Sequence, residues 1–155
     1  MPRGSHYGSD YWIAYSYKLK RQVEFHSMLE FYQFIRLEMD PTVEFFCEQP
    51  VRMEFEHEGK MQESIPDFWV YFRNASSEFQ EIKSSQDLKG DHMSAERAQK
   101  QIDIQKKWCE KYGIVHKVIT EEDIFNNQYR MQNALVSFIT QVQFTQHYHN
   151  SIRFE

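Results

Sequence analysis

The chain has 155 residues, including 13 Phe, 9 Tyr and 3 Trp but only 5 Gly and 4 Pro, and a formal charge of −5 from 23 acidic and 18 basic residues. This length fits one domain that buries roughly two thirds of its unfolded surface. Its aromatic content excludes a disordered chain, the scarcity of Gly and Pro excludes linker or collagen-like material, and no apolar run approaches the ~20 residues of a membrane span.

An acidic balance argues against a protein that coats nucleic acid by charge alone. It suits a chain that gathers carboxylates around a cation. Two cysteines, Cys47 and Cys109, are too few for a disulfide framework or a zinc cage. They read as inert thiols of a reduced, intracellular protein. No secretory h-region opens the chain. The expected location is the cytoplasm, or a virion assembled there. Residues 1–6, Met-Pro-Arg-Gly-Ser-His, read as a tag scar or as native sequence without a role.

In chain order, residues 11–17 are aromatic and expected to be extended, as core or interface. Lys18, Lys20 and Arg21 make a basic turn, and Val23 and Phe25 alternate with polar neighbours in a second short extended piece. Ser27 and Glu30 have the spacing of a capping box, followed by a helical apolar period through Leu37. Asp40-Pro41 stops that helix, because a residue before proline avoids the α region. The first helix is therefore predicted over residues 28–39.

Strands are predicted over 43–47, 51–57, 68–72 and 79–83, with a turn at Glu58-Gly59-Lys60. Residues 84–91 are polar. Ser94 is expected to cap a long helix over 95–111 that ends at Gly113. The β-branched run 114–119 reads as a buried strand, and Thr120 with its acidic followers as a helix start. A last amphipathic helix is predicted over 130–144, with 145–155 as a frayed tail containing His147 and His149. A strand after a long helix requires a crossover and a parallel pair. The expected class is α/β (mixed α+β): one domain over 1–155, with a central mixed sheet flanked by helices, a core of about 22–125 and a C-terminal helix and tail over 126–155.

Chemistry concentrates in four residues. Glu30 opens the first helix, and Asp67 follows Pro66 at the start of a strand. Glu81 and Lys83 are two apart on another strand, so they leave the same sheet face, while Ile82 points the other way. Three carboxylates and a lysine suit a Mg²⁺ site, since Mg²⁺ takes oxygen ligands and keeps several waters. Asp67, Glu81, the Ile82 carbonyl and Glu30 are the candidate ligands. Lys83 would orient water or stabilise charge at a phosphodiester. Each residue also has a plainer reading. Glu30 serves as a capping-box glutamate, Glu81 and Lys83 as a strand-face ion pair, and Asp67 as a turn residue.

The Pro66-Asp67 and Glu81-Ile82-Lys83 pair resembles the PD-(D/E)xK nuclease superfamily. With Leu37-Glu38-Met39-Asp40-Pro41, Glu48-Gln49-Pro50, Cys109 to Gly113 and Val118 to Ile124, the run from Gln22 to Phe125 resembles the amino-terminal endonuclease domain of TnsA transposase subunits. The resemblance implies a restriction-endonuclease-like core and a magnesium-dependent DNA endonuclease, with Mn²⁺ able to substitute. It makes Glu30 and Asp67 metal-binding and Lys83 catalytic. Glu81 fits the wider superfamily, in which Glu is usual at this position. Gln49 belongs to the Gln-Pro signature.

TnsA proteins usually carry a second domain that contacts the partner transposase, whereas about 30 residues follow Phe125. The resemblance to small head-completion nucleases of T4-like phages therefore implies action on packaged DNA before tail joining, with head or neck proteins as partners. A transposon-end nuclease domain paired with a transposase is the alternative. A non-catalytic neck protein retaining the fold is a further one. Hydrolysis is expected to ignore sequence, because no base-reading module is present. Lys100, Lys106 and Lys107 on the long helix, beside Arg97 and Lys111, are candidate DNA-backbone contacts. The resemblance adds Gln101. His26, ahead of the first helix, reads as a solvated loop histidine or a phosphate contact. His147 and His149 lack partners for a metal site.

Overall fold

The computed structural model describes residues 11–57, 59–90 and 92–152, and leaves the side chains of His57, Gln128, Phe144 and residues 146–152 undescribed. Residues 1–6 lie outside the described residues.

Alternation sets up the first hairpin. β1 (Trp12–Ser16) pairs antiparallel with β2 (Arg21–Phe25), with Trp12 opposite Phe25. Val23 and Phe25 are buried, and Trp12 stacks on Phe31 at 4.8 Å between ring centroids. Tyr11, Ile13 and Tyr15 take the solvent side. The intervening basic turn has a structural job: Lys18 Nζ donates to the carbonyls of Leu37, Asp40 and Val43, closing the end of the first helix.

That helix, α1 (Met28–Met39), matches the predicted span. Ser27 Oγ accepts the Glu30 N–H at 3.1 Å, which satisfies one of the free donors of the first turn. Phe34, Ile35 and Leu37 face the core, and the chain turns extended at Asp40 before Pro41.

The central sheet has the order β3 (Val43–Glu48), β6 (Phe68–Phe72), β7 (Ser77–Ile82), β8 (Val115–Ile119). The first three run antiparallel, and β7 and β8 run parallel. The crossover between that parallel pair carries a short helix, α2 (Ser85–Leu88), and the long helix α3 (Met93–Tyr112). On one sheet face Phe46, Phe68, Val70 and Ile82 pack with Phe34 of α1 and with Met131 and Phe138 of α5 (Gln128–Ile152). On the other, Phe79, Met53 and Cys109 pack with Trp69 and Trp108, beneath α3 and a hairpin of β4 (Met53–His57) and β5 (Lys60–Ser64). The mixed sheet flanked by helices is the expected architecture. Among the described residues no helix is long and apolar enough to cross a membrane.

Six local expectations need correction. β8 is not the buried strand its β-branched run implies but a partly exposed edge strand, with Val115 53% exposed. β5 was not foreseen: Lys-Met-Gln-Glu-Ser has no alternation of its own and becomes a strand by pairing with β4 across Gly59, which holds φ +73°. The 84–91 segment carries the turn of helix α2, capped by Ser84. His92, not Ser94, caps α3, its Nδ1 accepting the Ala95 N–H at 3.2 Å. Lys83 follows β7 rather than ending it. Finally, α5 continues to Ile152, since the chain beyond Phe144 offers neither Gly nor Pro to stop it. The side chains of His147 and His149 lie outside the described residues.

Candidate active site

The site forms where the β6–β7 ladder ends. Phe68 and Gln80 are its last pair. Two steps further, Pro66 has no N–H to offer, and Asp67, between Phe68 and Pro66, turns inward. Asp67 Oδ2 accepts the Ile82 N–H at 2.6 Å, so a carboxylate continues the ladder that the backbone leaves open. The Asp67 carbonyl accepts the Gln49 N–H at 2.9 Å. Gln49 holds φ +45°, a left-handed conformation that is rare for a non-glycine residue and rarer still before proline. Strain of this kind persists where surrounding structure over-determines it, as at functional sites. The Gln-Pro signature thus anchors Asp67 through its backbone.

Glu81 is 2% exposed and bound at both oxygens. Oε1 lies 2.6 Å from Lys83 Nζ, as expected for side chains two apart on a strand. Oε2 accepts from Gln105 Nε2 at 2.7 Å. Gln105 of α3 is fully buried and also donates to Ser64 Oγ at 2.9 Å. Because Glu81 can only accept, the Gln105 amide must turn its nitrogen there and its Oε1 toward His116 Nε2, at 2.8 Å. His116 therefore carries its proton on Nε2. Burial, reinforced by the Lys106 cation, pushes its pKa below the ordinary 6.5 and favours the neutral ring. This network, in which Gln105 links Glu81, Ser64 and His116, is not among the expectations from sequence. The available signal was Gln101 and Gln105, four apart and so on one helix face.

Glu30 is not the capping-box glutamate, since its carboxylate reaches the His26 N–H and not that of the N-cap Ser27. Its backbone is capped by Ser27, and its Oε2 accepts the His26 N–H at 3.1 Å. Its side chain also borders a polar cavity of about 300 Å³. Asp67, Glu81, Lys83 and Gln101 line the same cavity, with Gln49, His26 and Ser64. Ile82 does not line it; its side chain is in the core and its N–H is held by Asp67. Lys100, Lys106 and Lys107 are exposed on α3 but do not form one stripe. Lys100 and Lys107 are seven apart on one face, with the Lys107 ammonium 6.0 Å from the Phe55 ring of β4. Lys106 stands on the other flank, near His116.

Like charge dominates the cavity. Burial, then the Glu81 and Glu30 carboxylates, hold the Asp67 carboxyl well above the usual range, against the Ile82 N–H and Lys83. Burial opposes charge on Lys83, but Glu81, Asp67 and Asp87 outweigh it and raise its pKa. Lys83 is a cation and hydrogen-bond donor here, not a base. Both thiols are inert as expected, with burial pushing Cys109 up to about 11 and Cys47 upward as well.

The donor chemistry fits a hard divalent cation. Every candidate side-chain ligand is an oxygen, and crowded carboxylates gain from a cation between them. Among the described residues no three His, Cys, Asp or Glu side chains form a ready-made metal cage. Glu30 and Glu81 already hold other partners but keep acceptor lone pairs for an ion.

A mixed sheet with an aspartate just ahead of β6, a Glu-x-Lys pair running off the end of β7 and a glutamate at the start of α1 defines the PD-(D/E)xK class of nucleases. The profile of the TnsA-like endonuclease N-terminal family matches residues 40–121, and the chain belongs to this family. No curated protein matches the chain. Asp67, Glu81 and Lys83 fall inside the matched span, while Glu30 precedes it, so its place in the site rests on the cavity. Membership suggests nuclease activity, and a nuclease domain implies DNA as substrate.

Proposed function

We propose that the chain is a magnesium-dependent DNA endonuclease that hydrolyses phosphodiester bonds with little regard for sequence, and that residues 1–155 form one nuclease unit. The observation that supports this reading is the convergence of Glu30, Asp67, Glu81 and Lys83 on one polar cavity. Glu30, Asp67 and Glu81 would hold Mg²⁺ or Mn²⁺. When bound, the cation supplies Lewis acidity, polarising a phosphodiester and acidifying a neighbouring water. Lys83, held as a cation by Glu81, donates hydrogen bonds that orient the attacking water or offset charge on the phosphoryl oxygens. Gln105 and His116 fix the Glu81 carboxylate. Lys100, Lys106, Lys107 and Gln101 would contact the DNA backbone, which carries no sequence information.

Two settings share this chemistry: head completion on packaged phage DNA, with head or neck partners, and cleavage at a transposon end beside a transposase subunit. The family match favours the second no less than the first. Capsid and tail genes, or transposase genes, beside the coding sequence would separate them. A non-catalytic neck protein is disfavoured because all four site residues are intact. The test is plasmid nicking with Mg²⁺, with EDTA, and with Asp67→Ala or Lys83→Ala. We expect nicking only by the intact chain with metal, with a loss of about 10²-fold or more in each variant. Equal nicking in all samples, or none by the intact chain, would refute the proposal.

A further inference from the structure

A second cavity, of about 230 Å³, lies at the opposite end of α1, between that helix and the start of α5. Glu30 and Met39 are nine residues apart, about 14 Å along the helix axis, so this cavity is separate from the nuclease site. Its floor is apolar, formed by Ile124, Met131 and Ala134. Its rim carries two guanidinium groups, Arg36 and Arg130, with the neutral polar side chains of Asn133 and Ser137.

The arginines are arranged unusually. Among the described residues neither has a carboxylate oxygen within 4.0 Å. Arg36 donates instead to the neutral Gln33 Oε1 at 3.1 Å. Arg36 is half-buried, and both its burial and the nearby Arg130 cation work against its charge; Asp123 and Asp40 offset this from a distance. Asp40 also lines the cavity, its Oδ1 already accepting from Thr42 N–H at 2.8 Å and Thr42 Oγ1 at 2.7 Å. A half-buried guanidinium close enough to feel a second cation on the same cavity gains from an anion placed between them. The planar donor fork of arginine matches oxyanions, and two forks on one cavity match a tetrahedral one.

We propose that this cavity is a binding site for a phosphate group, distinct from the nuclease centre, with Arg36 and Arg130 as its ligands. The group comes either from free phosphate or from a phosphorylated DNA end. The site does not depend on the nuclease reading, since it needs neither metal nor hydrolysis.

Calorimetric titration of the whole chain with inorganic phosphate tests it, in EDTA, with ionic strength held by sodium chloride. Saturable one-to-one binding is expected. It should weaken about tenfold or more in Arg130→Gln, which loses a charged hydrogen-bond donor from an exposed position. Ser137→Asp, which adds a carboxylate to the rim, should abolish it, and Asp40→Asn should strengthen it. Circular dichroism confirms that each variant is folded. Competition by a 5′-phosphorylated oligonucleotide, and not by its 5′-hydroxyl twin, would assign the DNA end; competition by neither would assign free phosphate. Absence of saturable binding, or equal affinity in folded Arg130→Gln and Ser137→Asp, would overturn the proposal.

Discussion

Asp67 shows what a functional carboxylate costs its fold. Its folded pKa is raised, so folding favours the neutral acid. The contribution is fully present below the ordinary 3.8 and is lost as pH rises through the raised folded value. As pH rises, the buried carboxyl beside Glu81 and Glu30 therefore costs the metal-free protein stability. Asp67→Asn keeps an oxygen for the Ile82 N–H and removes the charge. We predict that calorimetry in EDTA at neutral pH finds this variant more stable, by about 2–4 °C in Tm per kcal/mol of repulsion removed, and that the gain shrinks as pH falls toward 3.8. A lower Tm at neutral pH would contradict the electrostatic account. Such a gain in stability with loss of activity is the expected trade at a strained site.

Gln105 makes the opposite case. Its amide, itself fully buried, satisfies Glu81 Oε2, Ser64 Oγ and His116 Nε2. Gln105→Leu preserves bulk but leaves those buried groups unpaired. Urea unfolding should show a loss of about 1–3 kcal/mol, with or without divalent metal. Residue types at close spacing were legible in the sequence: Glu81 and Lys83 meet as strand geometry requires, and Glu30 sits at the helix start. Gln105 and His116 were not, because their role depends on the packing of α3 and β8 against β7, a contact between segments far apart in the chain.

At the scale of elements, local signals worked where one strong rule applied. The Ser27 cap and the Asp40-Pro41 stop placed α1 at its observed ends, and Gly113 ends α3 in the left-handed conformation, φ +67°, that a helix C-cap favours. They failed where tertiary pairing decides. β5 is a strand only because β4 lies beside it, and α5 outruns its amphipathic segment because nothing stops it. The α3 lysines give an element-level prediction. Lys100 and Lys107 share one face, so Lys100→Ala and Lys107→Ala should weaken DNA binding equally for all sequences. Each should reduce the slope of log affinity against log salt by about 1, measured by fluorescence anisotropy. An unchanged salt slope would remove that face from the DNA interface.

At the scale of the molecule, the fold is a device for bringing distant segments to one point. The α1 N-terminus, the start of β6, the end of β7 and the middle of α3 all reach the same cavity. The mixed sheet and its parallel β7–β8 pair were legible from the order of helices and strands, since a strand following a long helix must cross over. The arginine cavity was not, because Arg36 and Arg130 are far apart in the chain and meet only through the packing of α1 against α5.

The central claim is that Glu30, Asp67 and Glu81 share one divalent ion. Titrating Mn²⁺ into the ¹⁵N-labelled protein tests it most directly, by following paramagnetic broadening of backbone amides. The account predicts one saturable site, with broadening centred on residues 30, 67 and 81–83 and lost in Asp67→Asn. Broadening centred elsewhere, or unchanged in that variant, would contradict it.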